Sequence, residues 1–165
     1  MLVLGIDPGT VITGYGLVRE DDEALALVDC GVITTPAGQP LAERLQAIYR
    51  GLASVIQVHQ PSVAAVEELF FSRNVKTALS VGHARGVTLL ALADAGLPIH
   101  EYKPLEIKQA IAGYGGADKH QVQEMVRLLL GLDEAPQPDD AADAVAVAVC
   151  HIHSARMVAL LEGST

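Results

Sequence analysis

Short apolar runs open the chain and predict three strands in succession. LVLGID at residues 2–7 is apolar but too short for a helix, and DPGT then ends it as a turn. Residues 12–19 and 24–34 predict two more strands, joined by a polar hairpin loop at residues 20–23. Three successive strands with short connections predict an antiparallel meander.

The rest of the chain alternates helical spacing with short apolar runs. Strands are predicted at residues 63–66 and 97–102. Helical segments are predicted from Leu41 to His59, at 74–95, from Pro104 to Ile111, from a cap at Asp118 to near Gly131, and from Ala141 to Leu161. Gly82 and Gly86 lie one turn apart in the 74–95 helix, which suggests close approach of another helix or backbone.

The order of these elements predicts the fold class. Three strands followed by helix, strand, helix, strand and further helices indicate an α/β protein with a mixed sheet. We expect five strands, three antiparallel and then parallel additions, flanked by helices. This order matches the ribonuclease H-like fold. The length of 165 residues predicts a single domain over residues 1–165.

Composition narrows the class of protein. Half of the residues are apolar and the mean hydropathy is +0.33, which excludes a disordered chain. No uncharged apolar run of membrane-spanning length and no secretory signal are evident, so we expect a cytoplasmic protein. Cys30 and Cys150 are predicted to be buried free thiols in a reducing compartment.

The charge is unevenly distributed. The formal net charge of −9 argues against a nucleic-acid partner. Residues 73–127, however, hold seven Lys and Arg against five acids, so a basic face is possible on an acidic protein. Arg73 and Lys76 begin this segment and are candidates for contacts with DNA.

Four acidic residues fall where a metal-dependent phosphodiesterase needs them. Asp7 ends the first strand and Glu67 ends the fourth, and the two meet at one edge if those strands are neighbours. Asp140 and Asp143 are three residues apart at the start of the last helix and share a face. Such a set suits two Mg²⁺ ions, for which Mn²⁺ can substitute.

Each acid also fits an ordinary structural role. Asp7 suits a turn, Glu67 suits a solvated strand end, and Asp139 or Asp140 suits a helix cap. The four together, each at the right place in one topology, are more specific than any one of them. Asp139 leaves the ligand position ambiguous by one residue, and we prefer Asp140 because it keeps the three-residue spacing to Asp143.

Motifs along nearly the whole chain resemble the RuvC family of Holliday junction resolvases. They are GIDPGT and TGYG at 5–16, VEELFF at 66–71, ARG at 84–86, KQA at 108–110 and DAADAVAVA at 140–148. The resemblance implies a homodimeric ribonuclease H-like endonuclease that nicks two strands of a four-way DNA junction symmetrically. It implies a role in homologous recombination and DNA repair, beside a RuvA/RuvB-type branch-migration complex.

The resemblance also assigns roles to residues. It places the four acidic ligands at Asp7, Glu67, Asp140 and Asp143. A junction-probing aromatic falls at Phe70, with Phe71 beside it, and a basic residue falls near Arg73. Two lysines that contact DNA and support catalysis fall at Lys108 and Lys119.

Two other functions remain as alternatives. A non-catalytic junction-binding module would bind the junction without cleaving it. An actin-like ATPase or sugar kinase, suggested by the GIDPGT opening, needs a second domain to close over ATP, for which 165 residues leave no room.

Overall fold

The computed structural model describes residues 1–22, 24–68 and 75–162. It contains five strands, β1 (Leu2–Asp7), β2 (Ile12–Asp21), β3 (Ala24–Thr34), β4 (Val63–Glu67) and β5 (Ile99–Tyr102). Its five helices are α1 (Leu41–His59), α2 (Val75–Asp94), α3 (Pro104–Ala112), α4 (Lys119–Leu129) and α5 (Asp139–Glu162).

The strands form one mixed sheet in the order β3-β2-β1-β4-β5. β1 pairs antiparallel with β2, and β2 with β3, whereas β1–β4 and β4–β5 are parallel. The predicted fold class is therefore confirmed, including the adjacency of the first and fourth strands. Because β1 and β4 run parallel with Ile6 opposite Val66, both strands end at the same edge of the sheet.

Alternation along the strands separates two hydrophobic cores. On β1, Leu4 and Ile6 pack toward α1 and α2, whereas Val3 packs toward α3, α4 and α5. The same period of two applies to β4, where Ala64 and Val66 belong to the first core. Continuing this alternation places the side chains of Asp7 and Glu67 on the face that α5 covers.

Helix α5 lies unusually close to the sheet because glycines line its path. A Cβ added at Gly14 would stand 2.0 Å from the Asp140 carbonyl oxygen, and one at Gly5 would stand 2.1 Å from the Ala144 carbonyl oxygen. Real Cβ atoms do not make such contacts, so only glycine permits this approach. Since Gly14 pairs with Asp7 across β1 and β2, the start of α5 is held directly over the end of β1.

Residues 141, 142 and 144–152 of α5 are buried against the sheet and its flanking helices. By length and composition alone, α5 is long and apolar enough to span a membrane. Half of its most apolar window is nevertheless inside the protein, which is the situation of a core helix.

Several predicted boundaries differ from the structure. The first hairpin is tighter than expected, because β2 continues to Asp21 and β3 begins at Ala24, with Glu23 outside the described residues. Helix α5 begins at residue 139 rather than 141, because its first turn accepts two acidic residues. The β5 strand begins at 99 rather than 97, since Leu97 still bonds to the end of α2.

Two expectations about single residues also change. Cys150 is buried, but Cys30 is only half-buried because β3 is the edge strand; both thiols are free. A Cβ added at Gly86 meets nothing within 4 Å, so the close approach expected there is not made within the chain. Asp118 and Gln121 form the predicted capping box at the start of α4.

Replacing Gly14 by alanine tests whether the close contact between α5 and the sheet stabilises the protein. The added methyl group would collide with the backbone of Asp140. We expect the free energy of unfolding, measured with urea, to fall by about 1–3 kcal/mol. Gly38→Ala is the matched control, because nothing lies within 4 Å of that position, and its change should stay within about 0.5 kcal/mol. Equal effects at the two positions would contradict the account.

Candidate active site

Asp7 and Glu67 form the centre of the site. They end adjacent parallel strands, and their carboxyl groups share a hydrogen bond. Burial, followed by repulsion from Glu67, Asp143 and Asp140, raises the pKa of Asp7 from 3.8 to about 8. Burial also raises the pKa of Glu67, although the positive charges of Lys119 and Lys108 oppose that rise. Burial and proximity therefore make both carboxyl groups harder to ionise when no metal is bound.

The first turns of α5 supply the other acids. Asp143 lies one turn into the helix and is half-buried, which raises the pKa of its carboxyl group despite an ion pair with Lys119. The charge of Asp140 acts on Asp7, and its backbone rests on Gly14. Asp139 is more exposed and bonds instead to Lys119 and Gln123. This geometry favours Asp140 over Asp139 as the member of the acidic set.

A cavity of about 210 Å³ opens beside these acids. Its wall combines two acids, two lysines and an apolar floor. The lining residues are Glu67, Pro104, Ile107, Lys108, Lys119, Val122, Asp143 and Ala146. The cavity thus joins the carboxyl edge of the sheet to helices α3 and α4, and it offers positive charge next to carboxylates.

The predicted basic residues lie on two sides of the acids. Lys108 on α3 and Lys119 on α4 line the cavity. Lys76 on α2 lines a second pocket, together with Gly9, Thr10 and Asp140. Phe70, Phe71 and Arg73 lie outside the described residues, so their predicted roles stay predictions.

The histidines of α5 do not join the site. His151 is buried, its Nδ1 lies 2.8 Å from the Tyr102 hydroxyl, and burial beside His100 lowers its pKa to about 4. His153 lies with its Nδ1 3.0 Å from the Ala110 carbonyl oxygen. The two side chains have separate partners, because residues two apart on a helix do not face each other.

In the parts of the chain that the structure describes, no three Asp, Glu, His or Cys side chains are grouped closely enough to hold a metal ion together. Lys119 Nζ lies 2.9 Å from the Asp143 Oδ2 atom and engages that carboxylate directly. The acids are near neighbours that influence one another electrostatically.

Sequence reasoning missed two features of the site. The first feature is the close contact of α5 with the glycines of TGYG, which alternate along β2. Small residues at every second position of a strand, together with an alanine-rich helix later in the chain, were the signal in the sequence that could have predicted this contact. The contacts of Asp139 with α4 were also missed. They had no signal in the sequence, because they depend on how α4 packs against α5.

The fold and the acids together define a class of protein. The mixed sheet has the strand order of a ribonuclease H-like nuclease. Two strand ends and one helix bring carboxylates to the same face of this sheet, as in that class of enzyme. The structure of the yeast mitochondrial Holliday junction resolvase Ydc2 has the same fold, with a TM-score of 0.63 at 15% identity, covering 92% of this chain and 78% of that one.

Residues 3–151 match the family described as crossover junction endodeoxyribonuclease RuvC. The Chloroflexus aggregans protein of that name is 63% identical over 155 residues, 94% of each chain. The structure of T. thermophilus RuvC in complex with Holliday junction substrate superimposes with a TM-score of 0.90 at 42% identity, covering 95% of this chain and 96% of that one. The chain belongs to the RuvC family of crossover junction endodeoxyribonucleases, and membership implies dependence on a divalent metal.

The raised pKa of Asp7 predicts how stability depends on pH without metal. A carboxyl group whose pKa is raised on folding stabilises the folded state at low pH and loses that contribution as pH rises. For Asp7 the loss spans pH 3.8 to about 8. In EDTA at pH 8, Asp7→Asn should therefore be more stable than the wild type by at least about 1.4 kcal/mol, which is the worth of one pKa unit.

Urea unfolding at several pH values between 5 and 9 measures this difference. Asp21→Asn is the control, because this substitution also removes one negative charge. Asp21 ends β2 at the edge of the sheet opposite to Asp7. Equal losses of stability with rising pH in Asp7→Asn, Asp21→Asn and the wild type would contradict the raised pKa of Asp7.

Proposed function

We propose that this protein resolves four-way DNA junctions by hydrolysing one phosphodiester bond in each of two strands, with Asp7, Glu67, Asp140 and Asp143 as its metal ligands. The observation that carries the proposal is the placement of these acids. Two strand ends and one helix bring them to the same face and edge of the sheet. Products would carry 5′-phosphate and 3′-hydroxyl ends, which a ligase can seal.

The donor set suits Mg²⁺. All four groups are carboxylates, the hard oxygen ligands that Mg²⁺ prefers. Burial and repulsion from the other three acids raise the pKa of Asp7, and a divalent cation offsets such repulsion. We infer two Mg²⁺ ions per site, for which Mn²⁺ can substitute. When bound, they supply a Lewis acid for the phosphodiester and lower the pKa of attacking water.

The lysines account for DNA binding by an acidic protein. Lys108 and Lys119 stand at the cavity and Lys76 stands near Asp140, so positive charge flanks the acids on both sides. Contacts between lysines and phosphates position a duplex without reading its sequence. We propose that these lysines and Arg73 contact DNA phosphates, and that Phe70 and Phe71 probe bases opened at the crossover.

An exposed apolar stripe on α2 supports a homodimer. Val75, Leu79 and Leu90 are exposed by 77%, 62% and 54% and share one face with Gly82 and Gly86. The buried residues of α2, such as Ala84 and Thr88, lie on the opposite face. Glycines on the exposed face permit close approach of a second helix. A two-fold dimer would present two copies of the site to a two-fold junction.

Family membership alone supports the remaining context. We propose that the protein acts in the bacterial cytosol on the nucleoid, with a RuvA/RuvB-type branch-migration complex as its partner. Residues 1–165 are proposed to act as one nuclease domain. The competing function is a non-catalytic junction-binding module, and it differs from the proposal only in lacking cleavage.

Cleavage of a synthetic four-way junction tests the proposed function. In Mg²⁺ we expect paired nicks on the junction, none on a linear duplex of matched sequence, and none in EDTA. Asp7→Asn should lower the nicking rate by more than about 100-fold, beyond the roughly 10–100-fold typical of groups that only support a ligand. Junction binding by the variant should be retained.

Asp21→Asn controls for the loss of one negative charge and should nick at the wild-type rate. Tight binding by the wild type with no nicks would establish the non-catalytic module instead. Nicks with 3′-phosphate ends would contradict the proposed chemistry.

The proposed dimer makes a separate prediction. Leu79→Glu places a charge in the exposed stripe of α2 and should convert the dimer into a monomer in sedimentation analysis. Val58→Glu on α1 is the control, because Val58 is 71% exposed and lies outside that stripe. A Leu79→Glu variant that stays dimeric would exclude α2 as the interface.

A further inference from the structure

Asp139 lies next to the four acids but has different partners. It is the first residue of α5, and its side chain is 59% exposed. Its Oδ2 atom lies 3.5 Å from Lys119 Nζ, and its Oδ1 atom accepts a hydrogen bond of 3.2 Å from Gln123 Nε2. Both oxygens of the Asp139 carboxylate therefore face α4, and both of its partners are on that helix.

Lys119 is held between two carboxylates one turn apart on α5. Its Nζ atom donates to Asp143 Oδ2 at 2.9 Å and lies beside Asp139. Lys119 is the first residue of α4, directly after the cap at Asp118, so its backbone is fixed by the capping box. Lys119 and Gln123 are themselves one turn apart on α4, so both side chains can contact Asp139 at the same time.

This arrangement matters because a lysine side chain is long and flexible. A single exposed ion pair restricts the motion of a lysine side chain only weakly. Several simultaneous contacts with one ammonium group restrict it more. Asp143 belongs to the proposed metal ligands, so its carboxylate oxygens would be shared between the metal and Lys119. Asp139 lies outside that set, and Gln123 orients its carboxylate toward Lys119.

We propose that Asp139 is a positioning residue that keeps the ammonium group of Lys119 at the rim of the active-site cavity. Asp139 acts on the reaction through Lys119 and does not itself contact the metal or the phosphodiester. The inference rests on the proposed role of Lys119 in the nuclease site. It also gives the extra acid of the PDDAADA segment a function distinct from that of Asp140.

A purely structural role for Asp139 is the alternative. An acid in the first turn of a helix stabilises that helix through its dipole. In that case Asp139→Asn would lower the melting temperature without changing the mobility of Lys119 or the nicking rate. The two roles therefore differ in measurable ways.

The first test observes Lys119 without any reaction. The ¹⁵N and ¹H signals of lysine ammonium groups report their mobility, and a Lys119→Arg variant assigns the Lys119 signal. We expect this group to be restricted in the wild type and in Asp21→Asn, and clearly more mobile in Asp139→Asn and Gln123→Ala. Unchanged mobility in Asp139→Asn would overturn the proposal.

The second test measures the reaction. In single-turnover nicking with Mg²⁺, Asp139→Asn should lower the rate constant by roughly tenfold, with junction affinity in Ca²⁺ unchanged. Asp139→Glu should recover most of the loss. In a Lys119→Ala background, Asp139→Asn should have no further effect, because residues that act as one unit are not additive.

Other results would overturn the proposal. Equal losses from Asp139→Asn with and without Lys119 would show that Asp139 does not act through Lys119. A wild-type rate in Lys119→Ala would remove the proposed role of Lys119, while the nicks themselves would leave the assignment of the four acids intact. A loss of melting temperature alone would leave Asp139 as a helix-stabilising acid.

Discussion

The close contact of α5 with the sheet determines the geometry of the whole site. Gly5 and Gly14 leave no side chain between the strands and the helix backbone, so the first turns of α5 rest directly on β1 and β2. Interiors are packed closely enough that an added methyl group there forces the helix outward. Because Asp140 and Asp143 are carried on those turns, the same contact sets their distance from Asp7.

Bringing the acids together has an electrostatic cost that the protein reduces locally. Burial and mutual repulsion raise the pKa of Asp7 to about 8, so its carboxyl group ionises less readily than a free one. Lys119 pairs with Asp143, and the charges of Lys119 and Lys108 act on Glu67. These positive groups are the ones proposed above to contact DNA phosphates. The net charge of −9 therefore describes the chain as a whole and not the surroundings of its site.

Much of this arrangement was predictable from the sequence, because it depends on periodicity and topology. Parallel β1 and β4 follow from the element order, and the meeting of Asp7 with Glu67 follows from the parallel pairing. The close contact between α5 and the strand glycines was not predicted. A glycine in a strand has several structural roles, and only its neighbours in the folded protein show which one applies. The contacts of Asp139 depend on the packing of two helices, which spacing within one helix does not determine.

The proposal on which the function rests is that Asp7, Glu67, Asp140 and Asp143 together form a divalent metal site. Anomalous diffraction from crystals soaked in Mn²⁺ tests it most directly, because the peaks locate the ions without reference to activity. Strong peaks are expected at coordination distance, about 2 Å, from oxygens of these four residues, with Asp139 still beside Lys119. Peaks coordinated by Asp139 in place of Asp140, or no peak between Asp7 and Glu67, would contradict it.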